Sequence, residues 1–445
     1  MLKKKRFTLF VLTSLLGLGL GQRVGADEPP ALIQLSPEAQ QAAADGRFNS
    51  LKKIESILAA VSALRQLPVL APVKLTVISR TSLQAELAEK IKTEIPPQKI
   101  RGEEALYRQL GMISHNFDYG AFMLDLYTEQ IGGFYDPKTQ ALNLIEGTPM
   151  TGIEQEMLIA HELTHALQDQ HYHLDDLLNA PERKDNDDAT LALMSLVEGD
   201  ATVSSMAYVQ ETQAKKPLQG FFSVLGSLVN QVKMMSTFKT FQSAPAFIQE
   251  SLIFPYQQGS QFVSYFQNQA PEVSAIQGLY DRLPQSTEQI LHPLLYQHNE
   301  NPEPVQFDFK ALFPQAEILS SSVWGELGYR QYLQRHLDWK EAKAAASGWA
   351  GDRYGILDTP EGPAFVFASL WDNVVEATEF RQAYHKTLAL RTGKAPALVS
   401  PGLWWAQHDD LGNIFLYQDQ SRVLVLEHVS QAFASHKQFQ QVLEF

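Results

Sequence analysis

Long stretches of helical periodicity set between short β-branched runs predict an α+β fold for this chain of 445 residues. Two stretches carry the helical part. Residues 153–170 contain no Gly or Pro, and residues 189–206 bring Leu191, Leu193, Met194, Leu196, Val197, Ala201 and Val203 into one largely apolar segment. The third observation is a strand–turn–strand pattern ahead of them, 128–135 and 140–145 around Asp136-Pro137-Lys138-Thr139.

The elements follow in order. Lys3, Lys4, Lys5 and Arg6 precede an apolar run at 7–20, and Val24-Gly25-Ala26 offers small residues for cleavage. Residues 1–26 therefore read as a secretory signal peptide. The run is short against the ~20 residues of a membrane span, so the expectation is a secreted or periplasmic protein with no stable membrane insertion after cleavage. Residues 31–65 read as helix, 69–78 as a strand, 82–94 as a helix ended by Pro96-Pro97, and 101–127 as helical. A T-x-x-E capping box at Thr151 and Glu154 starts the next helix. The acidic stretch 179–188 holds Asp185, Asp187 and Asp188, either a calcium site or, as expected here, a loop capping the helix that follows. Residues 218–266 are apolar enough for a core helix or a cleft wall.

Asn299-Glu300-Asn301-Pro302-Glu303-Pro304 is the clearest linker signal and divides the chain into 27–298 and 305–445. The second part reads as an α/β accessory region: a helix near 321–346, the run 364–371, a helix near 374–390, and strands at 413–417 and 422–428. Trp349, Trp371, Trp404 and Trp405 are either an aromatic core or a ligand-binding face.

Charge and composition exclude several classes. The formal charge is −14, and residues 1–26 carry five positive and no negative side chains, so the remainder carries −14 − 5 = −19. Such a chain is not expected to bind nucleic acid or an anionic membrane surface. The absence of cysteine removes disulfides, thiolate metal ligands and a thiol nucleophile.

The chemistry concentrates in His161-Glu162-Leu163-Thr164-His165. Residues four apart on a helix face nearly the same way, so His161 and His165 can hold one Zn²⁺, with Glu162 the base for an attacking water. A third ligand is needed. Glu198 stands among apolar neighbours, where a carboxylate is costly to bury without a positive partner; a metal or an unseen Arg or Lys would supply one. Asp200 is the rival ligand, but two residues on along a helix it points roughly 200° away. It then belongs behind the ligands or on nearby backbone. His171 occupies a decoy position ten residues after His161, with 204–208 mimicking a Met-turn. That position and turn resemble the metzincin pattern, whose helix stops at a Gly where this chain has Gln168.

Residues 161–170 (HELTHALQDQ), 196–201 (LVEGDA) and 286–293 (STEQILHP) together resemble the gluzincin group of zinc metallopeptidases, and within it a poorly characterised set of secreted bacterial proteins. The resemblance covers about 119–296. It implies a zincin-like domain with a mixed sheet, His161, His165 and Glu198 as zinc ligands, Glu162 as catalytic base, and a peptide or protein substrate pairing with an edge strand before the motif helix. Many gluzincins carry an Asp four residues after the ligand Glu, where this chain has Thr202, so the partner that orients a ligand imidazole is left open. For the oxyanion donor, His292 is the first candidate, ahead of Tyr256 and Tyr208. The alternative from another class is a catalytically silent zinc protein that captures extended peptides.

Overall fold

The computed structural model describes residues 32–45, 51–94, 97–130, 133–146, 152–214, 239–270 and 274–430; the expected signal peptide lies outside them. Two sheets and many helices make up an α+β architecture. Among the described residues no helix is long and apolar enough to cross a membrane.

The smaller sheet combines β1 (Ile33–Leu35), β2 (Val73–Ile78), β3 (Gly133–Asp136) and β4 (Ala141–Ile145) in the order β1-β2-β4-β3. The first three neighbours run parallel and β3 is antiparallel to β4, so the sheet is mixed and β3 forms one edge. The helix Leu51–Arg65 lies between β1 and β2 in sequence and buries Ile54, Ile57, Leu58 and Val61. These pack in one cluster with Leu163 and Leu167 of the motif helix, Ile153–Tyr172.

Residues 31–65 are not the single helix expected. They open on β1, whose partner β2 lies some forty residues on, a pairing that local periodicity does not report. Ser36 then caps Pro37–Ala44, its Oγ accepting from the Ala39 amide at 3.2 Å. The strand expected from residue 69 begins at Val73, after Pro68 and Pro72. The stretch 101–127 is two helices, Pro97–Gln109 and Tyr119–Gln130, so residues 128–130, expected in a strand, still belong to a helix.

The larger sheet runs β5 (Glu317–Ser322), β6 (Trp349–Thr359), β7 (Gly362–Trp371), β11 (Arg422–Val429), β10 (Gly412–Asp419), β9 (Leu403–His408) and β8 (Ala397–Ser400). Every neighbour is antiparallel, which corrects the α/β expectation for this region. The runs 364–371, 413–417 and 422–428 lie in β7, β10 and β11. The helix expected at 321–346 starts as the end of β5 and then splits into Gly325–His336 and Trp339–Ala346. Asp338 caps the second, accepting from the Lys340 and Glu341 amides. Helix Val374–Thr392 buries Phe380, Tyr384 and Leu388 over the sheet. Trp349 and Trp371 are core residues, their indole N–H groups satisfied by Asp352 and Ser369. Trp404 and Trp405 are partly buried against the same sheet.

The division at 299–304 does not divide the core. Leu106, Leu110 and Met112 share one cluster with Tyr332, Ile356, Phe367 and Trp371. The linker itself is strapped down: the Glu303 amide donates to Ala350 O at 2.7 Å, and Gln289 Nε2 donates to Glu300 O at 2.7 Å. Turn-forming residues report where the chain bends, and burial decides which segments share an interior.

Candidate metal centre

The motif helix begins at Ile153 with Gly152 at its cap in a left-handed backbone (φ +106°), and no side chain caps it. Thr151, the cap of the expected capping box, lies outside the described residues, and the cap position is Gly152. Glu154 and Glu156 in the first turn complement the positive end of the helix dipole. One turn from its C-terminus the helix is buried on nearly every side, and the motif face looks toward β3 and the helix Asp187–Ala214 that carries Glu198.

Three side chains converge. His161 Nε2 and His165 Nε2 are 3.1 Å apart, Glu198 Oε2 is 3.0 Å from His161 Nε2 and 3.5 Å from His165 Nε2. A tetrahedral ion with bonds of ~2.0–2.1 Å separates its ligand atoms by about 3.3–3.4 Å. The observed triangle fits that shell, and the donor set of two imidazoles and a carboxylate suits zinc. Among the described residues this is the one group of three or more metal-ligating side chains drawn so close together. Asp185, Asp187 and Asp188 form no such group. Asn186 caps the following helix through the Ala189 amide, Asp187 approaches Lys99, and Asp188 turns to Thr287.

The three side chains also couple electrostatically. Burial disfavours a charged His165, but the Glu198 carboxylate beside it carries the imidazole up to about 9. Burial likewise opposes the Glu198 anion, and the two imidazoles hold it down at about 2. A metal bound there would compete with protons for these groups.

Glu162 does not join the triangle. Its Oε2 accepts the Tyr135 amide of β3 at 2.8 Å, which leaves the other oxygen available. Burial pushes its carboxyl up, against the pull of His161 and His165. Tyr135 is tied a second time, its hydroxyl donating to Asp169 at 2.9 Å, so the edge strand is pinned along the motif helix at two points.

Tyr256 completes the surroundings. Its ring lies 6.0 Å from that of His161. Burial and the charges of Glu198 and Glu162 raise its hydroxyl well above the ordinary tyrosine range, so it stays a proton donor at neutral pH. Its helix, Ala246–Gln269, can reach this position because glycines meet at the crossing. A Cβ on Gly259 would sit 1.9 Å from Ser195 O, and one on Gly199, next to Glu198, 2.2 Å from the Gly259 carbonyl carbon. The stretch 218–266 is thus core and site wall together in its described part.

The other expected site residues lie elsewhere. His292 bridges two short helices and its Nε2 is 3.0 Å from Glu326, so the first candidate for an oxyanion donor contacts the C-terminal region and none of the motif side chains. Tyr208 donates to Glu156 at 2.8 Å. His171 reaches Pro68 O at 2.8 Å, on the outer side of the helix, because the helix runs on past Gln168.

Sequence reasoning placed Asp200 behind the ligands but missed Gln168, Arg65 and Tyr280, which join it there. Gln168 Oε1 lies 2.7 Å from His165 Nδ1, and Gln168 Nε2 donates to Asp200 Oδ2 at 2.9 Å and to Val197 O at 3.0 Å. Asp200 in turn receives Arg65 Nε at 2.7 Å, Arg65 Nη2 at 3.0 Å and the Tyr280 hydroxyl at 2.9 Å. The signal for Gln168 was present, since residues three apart on a helix are neighbours. Arg65 carried no such mark.

Comparison with known proteins adds one finding. A family described as a domain of unknown function (DUF8575) matches residues 315–437, the strand-rich C-terminal part, which holds none of the converging residues. No curated protein and no solved structure matches the chain.

Proposed function

We propose that this chain is a secreted or periplasmic zinc-dependent metallopeptidase with a zincin-like catalytic region, hydrolysing peptide bonds of a peptide or protein substrate. The observation that carries the reading is the triangle of His161, His165 and Glu198, at the spacing of a tetrahedral shell, with Glu162 beside it and held out of it. A zinc ion there would supply a Lewis acid and an acidified water. Glu162, raised by burial and fixed by the Tyr135 amide, takes the proton of the attacking water and returns it to the leaving amine. Tyr256 donates to the developing oxyanion, the role that sequence first gave to His292. β3, an edge strand pinned against the motif helix, offers the ladder for an extended substrate.

A second reading rests on burial. His161, Glu162 and His165 are 3–4 % exposed and Glu198 1 %, which suits a closed zinc site that binds without turnover. Glu162→Gln separates the two. Peptidase activity in the parent that falls at least 10²-fold in the variant, with zinc retained in both, supports the enzyme. Equal substrate loss with both proteins, or none with either, overturns it.

A further inference from the structure

We propose that Gln168 is the positioning residue of the metal centre: it fixes the tautomer of His165 so that Nε2 presents a lone pair to the ion. This rests on the reading of His161, His165 and Glu198 as a metal site. Both groups touching Gln168 Nε2, the Val197 carbonyl and the Asp200 carboxylate, are acceptors. Arg65 grips Asp200 with two N–H groups from a buried position. The amide end of Gln168 must therefore point at Asp200 and Val197, and its oxygen at His165. An oxygen there accepts, so His165 donates from Nδ1, and its Nε2 is left free of a proton when the imidazole is neutral. Donation converges on Asp200 from two sides, from His165 through Gln168 and from Arg65 directly.

The arrangement occupies the place left open by Thr202, four residues after Glu198. A carboxylate one turn on would touch an imidazole directly. Here the carboxylate sits two residues on, faces away from the ligands, and acts through an amide. Gln168 is fully buried, and its contacts with His165 and Asp200 are direct. Among the described residues the buried Nδ1 of His161 meets no hydrogen-bond partner, so there the orientation is imposed on His165 alone.

Two substitutions test this through zinc affinity, measured by competition with a chromogenic chelator, beside the melting temperature of the metal-free protein. Gln168→Met keeps the bulk and removes all three hydrogen bonds, and the zinc dissociation constant is expected to rise about 10- to 100-fold. Gln168→Glu keeps an acceptor for His165 Nδ1 but sets a charge against Asp200. It is expected to hold zinc within about threefold of the parent while melting lower without metal. A merely structural role predicts the opposite order, with the glutamate variant worse on both readouts, and that result overturns the proposal. Unchanged zinc affinity in Gln168→Met overturns it as well. Should Gln168→Met fail to fold, Gln168→Asn, one methylene short of the imidazole, is expected to show the same weakening, and parental affinity in it is the contrary result. A parent that takes up no zinc overturns the metal site itself, whereas a zinc-loaded parent matched by the methionine variant overturns the role of Gln168 alone.

Discussion

Two buried polar networks in this molecule are built from the same parts and end differently. Near the motif helix, Arg65 pairs with Asp200, and Tyr280 and Gln168 donate to the same carboxylate. Under the large sheet, Arg391 pairs with Glu427, with Tyr384 and Gln109 donating to it. Both carboxylates are fully buried. The difference lies in the last link. Gln109 passes on to the carbonyl of Leu411 at 3.0 Å, a group that needs only a donor. Gln168 passes on to a histidine whose far nitrogen faces another imidazole and a carboxylate. A buried Arg–carboxylate network by itself therefore marks cohesion; what it terminates on decides whether it serves chemistry.

The strongest way to break this comparison is to cut both networks. Asp200→Ala and Glu427→Ala each leave a buried guanidinium unpaired, and each is expected to lower stability by about 3–5 kcal/mol in denaturant titration. Only Asp200→Ala is expected to weaken zinc binding. Comparable weakening in Glu427→Ala would show that the two networks do not differ in kind.

Next in size is the oxyanion donor. Tyr256→Phe is expected to lower kcat about 10²- to 10³-fold with zinc retained, whereas His292→Ala, which loses only its contact with Glu326, is expected to leave kcat near the parent value. The reverse order in steady-state kinetics would restore His292 to the mechanism. A smaller effect is expected at the crossing that brings Tyr256 in. Gly259→Ala overpacks against Ser195 O, for a loss of about 1–3 kcal/mol and a matching drop in melting temperature.

The weakest effect concerns acids with no cation. Burial, followed by the charges of Glu326 and Asp372, lifts Glu288 to about 9. Burial, with Asp352 and Glu326 adding to it, lifts Asp188 to about 7. Such groups keep their protons longer in the folded chain than in the unfolded one. Their contribution is complete below the ordinary carboxylate range near pH ~4 and is lost as pH rises through about 7 and about 9. Asp188→Asn and Glu288→Gln are each expected to flatten the fall in melting temperature between pH 5 and pH 9 by a few °C. By contrast Glu427, lowered by Arg391 against the pull of burial, contributes above the carboxylate range and loses that contribution as pH falls. Variants that steepen the alkaline fall would contradict the assignment.

How much could be read in advance follows from distance along the chain. His161, Glu162 and His165 are set by one helix, and Glu198 by its apolar surroundings; the fold draws the two imidazoles and the Glu198 carboxylate together and leaves Glu162 beside them. Gln168 was legible at helical spacing and passed over. Arg65 lies 135 residues from Asp200, and Tyr280 lies 80 residues on. Their pairing is created by the fold, and nothing local announces it. The same holds for β1 and β5, short strands whose identity comes from partners elsewhere, and for residues 97–112, which leave their sequence neighbours to join the C-terminal core. The linker signal at 299–304 was real as a turn and silent about that core.

The most direct measurement is the zinc content of the purified protein by elemental analysis, beside Glu198→Ala. About one zinc per chain in the parent, lost or strongly weakened in the variant, is the predicted result. One zinc in both would move the third ligand away from Glu198, and no zinc in the parent after reloading would contradict the metal centre outright.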